Sequence, residues 1–174
     1  MFTAIYKLFN YFIETYIPEV KHFSLYSANY INETNNNVIR YPAVFIEILP
    51  AIANQYAGEA QYFNITVNLH IVSEMYTSFD SNDKMLDNSL AHLNVLNDIY
   101  YNLDGFSDMT LPDELKVDGI RIDQMKRSSV NLGIDFGRRR SSVVSFEFRL
   151  LDATKLPKVK TYIKLPTVDN FKVV

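Results

Sequence analysis

The chain has 174 residues, a length that suits one domain and lets roughly 70% of the unfolded-chain surface be buried on folding. Hydrophobic residues make up 48% and charged residues 21%, which excludes wholesale disorder; with no Trp, the 12 Tyr and 12 Phe carry the aromatic packing. No cysteine is present, so a disulfide framework, thiolate metal sites and cysteine nucleophiles are all excluded. Net charge is −3 but unevenly spread: residues 1–137 hold 8 Lys/Arg against 17 Asp/Glu, and residues 138–174 hold 9 against 3. A basic end on an acidic body implies that the end folds onto its own body or a neighbour's, or that it meets a polyanion. The first is favoured, because an acidic body repels nucleic acid.

Residues 1–17 form the first predicted helix. Phe2, Ile5, Phe9, Phe12, Ile13, Tyr16 and Ile17 recur at three- and four-residue steps and make one apolar stripe, and Pro18 stops the helix. Lys7 and Glu14 interrupt it and no small-residue cleavage site follows, so it reads as a packing helix and not as a signal peptide. Lys7 is the one cation of its polar face, too few to hold anionic lipid. No segment reaches the roughly 18 uninterrupted apolar residues of a membrane span. A soluble protein, made in the cytoplasm, is expected.

Extended segments follow. His22 to Tyr26 alternates polar and apolar residues, and a polar turn runs from Asn32 to Asn37. Tyr41 to Pro50 is apolar on both faces except at Glu47, which places it inside a sheet. Gln61 to Val72 is the strongest strand: Phe63, Ile65, Val67, Leu69 and Ile71 point one way, and Tyr62, Asn64, Thr66, Asn68 and His70 the other. Residues 83–103 predict a second helix, with Asp80, Ser81 or Asn82 as N-cap and Leu86, Leu90, Leu93, Tyr100 and Leu103 as its apolar stripe. Gly105 stands where a left-handed C-cap is wanted, and Phe106 can pack back onto the last turn. Ile120 to Asp123 starts a strand toward Val130, Asn131 to Gly137 reads as a turn, and Val143 to Leu151 alternates as a last strand.

This order predicts an α+β fold: an antiparallel sheet of about four to five strands with two helices packed on one face. The row Asn64, Thr66, Asn68, His70 and the row Ser145, Glu147, Arg149 would share the uncovered face. Residues 1–152 form that domain. Residues 153–174, with spaced lysines, two prolines and no helical period, read as an extended basic arm. Lys155, Lys158, Lys160, Tyr162 and Lys164 are its candidate contacts to a neighbouring subunit.

A search for chemistry returns little. His22, His70 and His92 sit on separate elements without metal-site spacing, and five glycines form no phosphate loop. The Ser128-Ser129 and Ser141-Ser142 pairs read as turn and strand-edge residues, lacking a glycine-flanked elbow. Asp98, Asp104, Asp108, Asp113, Glu114, Asp118 and Asp123 read as solvated charge at a helix end and in a loop. No catalytic, cofactor or metal residues are assigned, and no enzyme is expected. Arg138, Arg139 and Arg140, with Lys126 and Arg127 on the preceding strand, make one basic patch if brought together across a hairpin. Such a patch contacts phosphates without reading sequence, or it is a solvated or salt-bridged hairpin.

Taken together, the opening helix, VKHFSLY, RYPAVFIEILP, QYFNITVNLHIVSE, the helix ending in IYYNLDGF and VVSFEFRLLD resemble the tail-terminator and head–tail-joining proteins of tailed bacteriophages. The resemblance covers roughly residues 1–152. It implies a structural virion subunit forming a ring of its own copies at the portal–tail junction. Adjacent portal, connector or tail proteins would be its partners, genome DNA would pass through the bore, and no cofactor or membrane would be involved. The arm is longer than the family pattern requires, and a neck adaptor gripping an adjoining ring fits equally well. Competing readings are a small-molecule or peptide-binding domain using the open sheet face, an enzyme whose carboxylates converge, and a tube or baseplate protein. The two helices argue against the last.

Overall fold

The computed structural model describes residues 2–27, 39–57, 60–74, 84–107, 113, 116, 120–136 and 139–154. Helix α1 (Phe2–Tyr16) forms on its apolar stripe, and Ile5, Leu8, Phe9, Phe12 and Ile13 are buried. Its two expected end members, Phe2 and Tyr16, are instead half exposed. Ile17, just past the helix, is buried and closes the stripe.

Among the described residues seven strands follow the helix: β1 (His22–Leu25), β2 (Ala43–Ile48), β3 (Ala53–Ala57), β4 (Ala60–Glu74), then β5 (Ile120–Ile122), β6 (Lys126–Phe136) and β7 (Arg139–Asp152). A second helix, α2 (Lys84–Leu103), stands between β4 and β5. The strands form one sheet in the order β1-β2-β4-β7-β5, with β3 pairing β4 and β6 pairing β7. Strand β7 gives one whole edge to β4, from Gln61↔Asp152 to Glu74↔Arg139, and divides the other between β5 and β6. Likewise β4 divides its outer edge between β2 and β3. Two strands sharing each flank bend the sheet into a curl.

The α+β class holds, but the sheet is mixed and larger than the sequence led us to expect. Strand β1 runs parallel to β2, in the register His22↔Ala43 to Leu25↔Ile46. The physical reason is length: the link from Tyr26 to Pro42 exceeds the dozen residues that a parallel crossover needs. Strand β3 escaped notice because Ala, Asn and Gln carry little intrinsic strand preference; pairing to β4 makes it a strand. The segment read as one strand toward Val130 is two, and the expected turn at 131–137 is mostly strand. Strand β6 continues to Phe136 through an irregularity between Asn131 and Ile134, where Gly133 takes φ +77°, a left-handed value that glycine adopts freely.

Both helices lie on the same sheet face. Their apolar side chains join Ile65, Val67, Leu69 and Ile71 of β4 and Val144, Phe146, Phe148 and Leu150 of β7 in one core. The buried face of α2 is rotated from the expected stripe: Val95, Leu96, Ile99 and Leu103 are buried, while Leu90 and Leu93 are 41% and 38% exposed. Positions 92, 95, 96, 99 and 103 keep helical spacing equally well, and His92 occupies the first of them. Gly105 caps the helix at φ +86°, the Phe106 amide donates to the Leu103 carbonyl at 3.1 Å, and the Phe106 ring meets Phe12 edge-on.

Candidate functional site

The opposite face of the sheet carries the polar rows, and the register joins them as expected: Asn64↔Arg149, Thr66↔Glu147 and Asn68↔Ser145. Glu47 of β2 stands opposite Asn68 and completes a line across three strands. The Ser145 hydroxyl donates to Asn68 Oδ1 at 2.8 Å, and Asn68 Nδ2 donates to Glu47 Oε2 at 2.8 Å. His70 Nε2 lies 3.1 Å from the same carboxylate oxygen, and its ring stacks on Tyr26 at 4.1 Å. The Asn68 amide, helped by the His70 hydrogen bond and charge, holds the Glu47 carboxyl below its ordinary value against the opposing effect of burial. Beyond His70 this face is covered: Ala43, Phe45 and Val72 form a small second core under Tyr26, Ile39 and Tyr41.

At the other end of the face, where β5 gives way to β6, lies a cleft of about 540 Å³ lined in part by Asn64, Thr66, Asp123, Lys126, Glu147 and Arg149. Its charges alternate. Lys126 is in register with Glu147, and the Asp123 amide donates to the Arg149 carbonyl at 2.9 Å. Two cations, Lys126 and Arg149, and two carboxylates, Asp123 and Glu147, line it, so its formal charges sum to zero.

Among the described residues, Lys126 and Arg127 stand apart from Arg139 and Arg140 along β7. Lys126 pairs in register with Glu147 and Arg139 with Glu74, at the two ends of the β6–β7 hairpin. Eight residue steps along β7 separate these positions, about 27 Å at strand spacing. Successive residues also point to opposite faces: Lys126 and Arg139 to the open face, Arg127 and Arg140 to the helix side. The Arg127 guanidinium lies 3.6 Å from the Tyr100 ring centroid, and its backbone amide donates to Asp104 Oδ1 at 3.1 Å. Arg139 lies over Tyr41 at 5.2 Å, on the small second core. Arg138 lies outside the described residues, as do Lys155, Lys158, Lys160, Tyr162 and Lys164 of the arm and the α2 cap candidates Asp80, Ser81 and Asn82.

One constellation was not read from the sequence. His92 Nδ1 lies 2.8 Å from the Ser73 hydroxyl and Nε2 lies 2.7 Å from that of Ser142, all three residues being buried. Ser142 is thus a core residue and not a strand-edge one. A serine beside an imidazole is the arrangement of a nucleophile and its base, but at 2% exposure Ser142 meets no substrate. The trio instead pins α2 to β4 and β7. The signal was the helical step from His92 to Val95, Leu96 and Ile99, which a hydropathy count discards because histidine is polar.

The carboxylates grouped in the sequence serve separate ends. Asp104 accepts the Arg127 amide, Asp113 pairs with Lys116 at 2.7 Å, and Asp123 lines the cleft. Asp108, Glu114 and Asp118 lie outside the described residues. Among the described residues no three His, Cys, Asp or Glu side chains gather as metal ligands, and no helix is long and apolar enough to cross a membrane. No protein-family model matches the chain, and no curated protein matches it in sequence.

Proposed function

We propose that this chain is a non-enzymatic structural subunit that assembles head-to-tail into a ring at the portal–tail junction of a tailed bacteriophage. It would be a tail terminator or head–tail connector of the virion, with adjoining portal or tail proteins above and below and DNA passing through the bore. The observation that carries the reading is the sheet's construction. Helices cover one face, and different strands bound it at opposite ends, β1 at one and β5 with β6 at the other. Unlike surfaces at opposite ends of one subunit are what a heterologous interface joins, and such an interface closes into a ring when the rotation per subunit allows. The curl of the sheet supplies a rotation.

Light scattering after size exclusion, across protein concentration and with negative-stain imaging, tests this reading. Closed rings, or a climb in mass toward them, are expected; a strict monomer at the highest concentration overturns self-assembly. The cleft beside Lys126 and Arg149 favours a second reading, a domain binding a neutral polar ligand. It predicts a monomer that retains a small molecule in native mass spectrometry and loses it on Arg149→Ala.

A further inference from the structure

We infer that the interface between copies is a continuation of the β-sheet, in which β1 of one subunit adds antiparallel to the outer edge of β6 of the next. The inference rests on the ring reading and names its contact. Edge strands present rows of backbone donors and acceptors that water alone satisfies until another strand pairs with them. Among the described residues, β1 and β6 each have a strand on one side only.

The outward groups of β1 follow from its bonding to β2. The Tyr26 amide donates to the Ile46 carbonyl at 2.8 Å, so position 26 points its backbone groups inward. By alternation Ser24 and His22 do the same, and Phe23 and Leu25 direct their N–H and C=O groups to the open side. The Leu25 side chain is 62% exposed at this rim. On β6, the start of the edge is closed by Asp104, which accepts the Arg127 amide. The open stretch therefore begins beyond Arg127 and contains Leu132, which is 65% exposed and lies in the irregularity between Asn131 and Ile134. Each edge thus brings an exposed leucine that pairing would shield from water.

Strand directions decide the geometry. The pairings are β1 with β2 parallel, then β2 with β4, β4 with β7 and β7 with β6 all antiparallel, so β6 runs opposite to β1. When a second copy extends the sheet with its helices on the same side, its β1 meets β6 antiparallel, the more favourable pairing. Repetition yields one helical layer and one continuous polar strand face, with the curl of each subunit setting the turn. Pairing of β6 with the β6 of another copy would instead close as a two-fold dimer.

Proline tests the contact, because at Leu25 it removes an outward N–H and spares the bonds to β2. The comparison is Leu25→Pro against Leu25→Ala in the full chain, read by light scattering with circular dichroism as the folding check. The inference expects Leu25→Ala to assemble as the parent does, and Leu25→Pro to keep its helical signal and associate at least ten-fold more weakly. Folded Leu25→Pro forming rings like the parent would overturn the β1 contact and leave the ring standing. A parent chain that is strictly monomeric would overturn both, and a parent that stops at a dimer would replace β1 with β6 self-pairing. If Leu25→Pro loses its helical signal, the cysteine-free chain offers Leu25→Cys with Leu132→Cys and a flexible dimaleimide. A covalent ladder from the double variant, absent from either single one, supports the contact. Its absence from assembled protein refutes it.

Discussion

Strands β4 and β7 are shared by two environments that differ in what they demand of a side chain. On the helix side, Ile65, Val67, Leu69, Val144, Phe146 and Leu150 are sealed beneath α1 and α2. On the open side, two residues away at most, Asn68, Ser145 and Glu47 form a chain of hydrogen bonds, and the cleft beyond it is lined by alternating charges. The helix side derives its stability from apolar area removed from water and, among the described residues, buries polar side chains in the trio of His92, Ser73 and Ser142, where both imidazole nitrogens have hydroxyl partners. Groups on the open side exchange protein partners for water at small net gain, so they are available to set registry and surface chemistry. The lesson is that one pair of strands can carry fold stability and surface recognition separately, because pleating directs alternate residues to opposite faces.

Substitutions sharpen the contrast. Phe146→Ala, at a fully buried ring, is expected to cost about 3–5 kcal/mol, read as a lower urea midpoint. A loss under 1 kcal/mol would break the picture of a single sealed core. His92→Leu deprives two buried hydroxyls of the imidazole and is expected to cost about 1–3 kcal/mol. Adding Ser73→Ala and Ser142→Ala should recover much of that loss, and no recovery would mean the trio acts through shape alone. On the open face, Asn68→Ala removes the two hydrogen bonds that link Asn68 to Glu47 and to Ser145 and should cost about 1 kcal/mol or less, with the circular-dichroism spectrum unchanged.

The smallest effect is a pH dependence. Glu47 titrates below its ordinary 4.5 in the folded chain, so its ionised form is favoured by folding. Its contribution is present in full above about pH 4.5 and is lost as pH falls through the lower folded value. Glu47→Gln should therefore flatten this part of the acid limb in thermal melts between pH 5 and 3 and leave the slope at neutral pH unchanged. An unchanged acid limb would show that the carboxylate's partners contribute nothing to folding.

Legibility followed the same division. The alternation of residues 61–72 and 143–151 placed both central strands and the two polar rows, since a period of two leaves one choice of face. The apolar stripe of α1 and the glycine after α2 were read for equally local reasons. The spacing of the basic residues was not legible, because a hairpin of unknown length gives no distance between its ends. Lys126 and Arg139 share a face but lie far apart, and Arg127 and Arg140 take the other side. The stripe of α2 was misphased because leucines outweighed a histidine whose partners, Ser73 and Ser142, come from strands 19 and 50 residues away.

The amino-acid sequence by itself determined the elements whose pattern is local: two helices, the long strands, the α+β class, the absence of cysteine chemistry and the uneven charge. The tertiary structure alone decided what depends on pairing across the chain. It set the parallel entry of β1, the strand state of β3 and the bulged β6, the face that α2 buries, and the bonds of His92 and Glu47. The reason is that periodicity records how one segment meets water, whereas partner, direction and register are properties of two segments that only folding brings together.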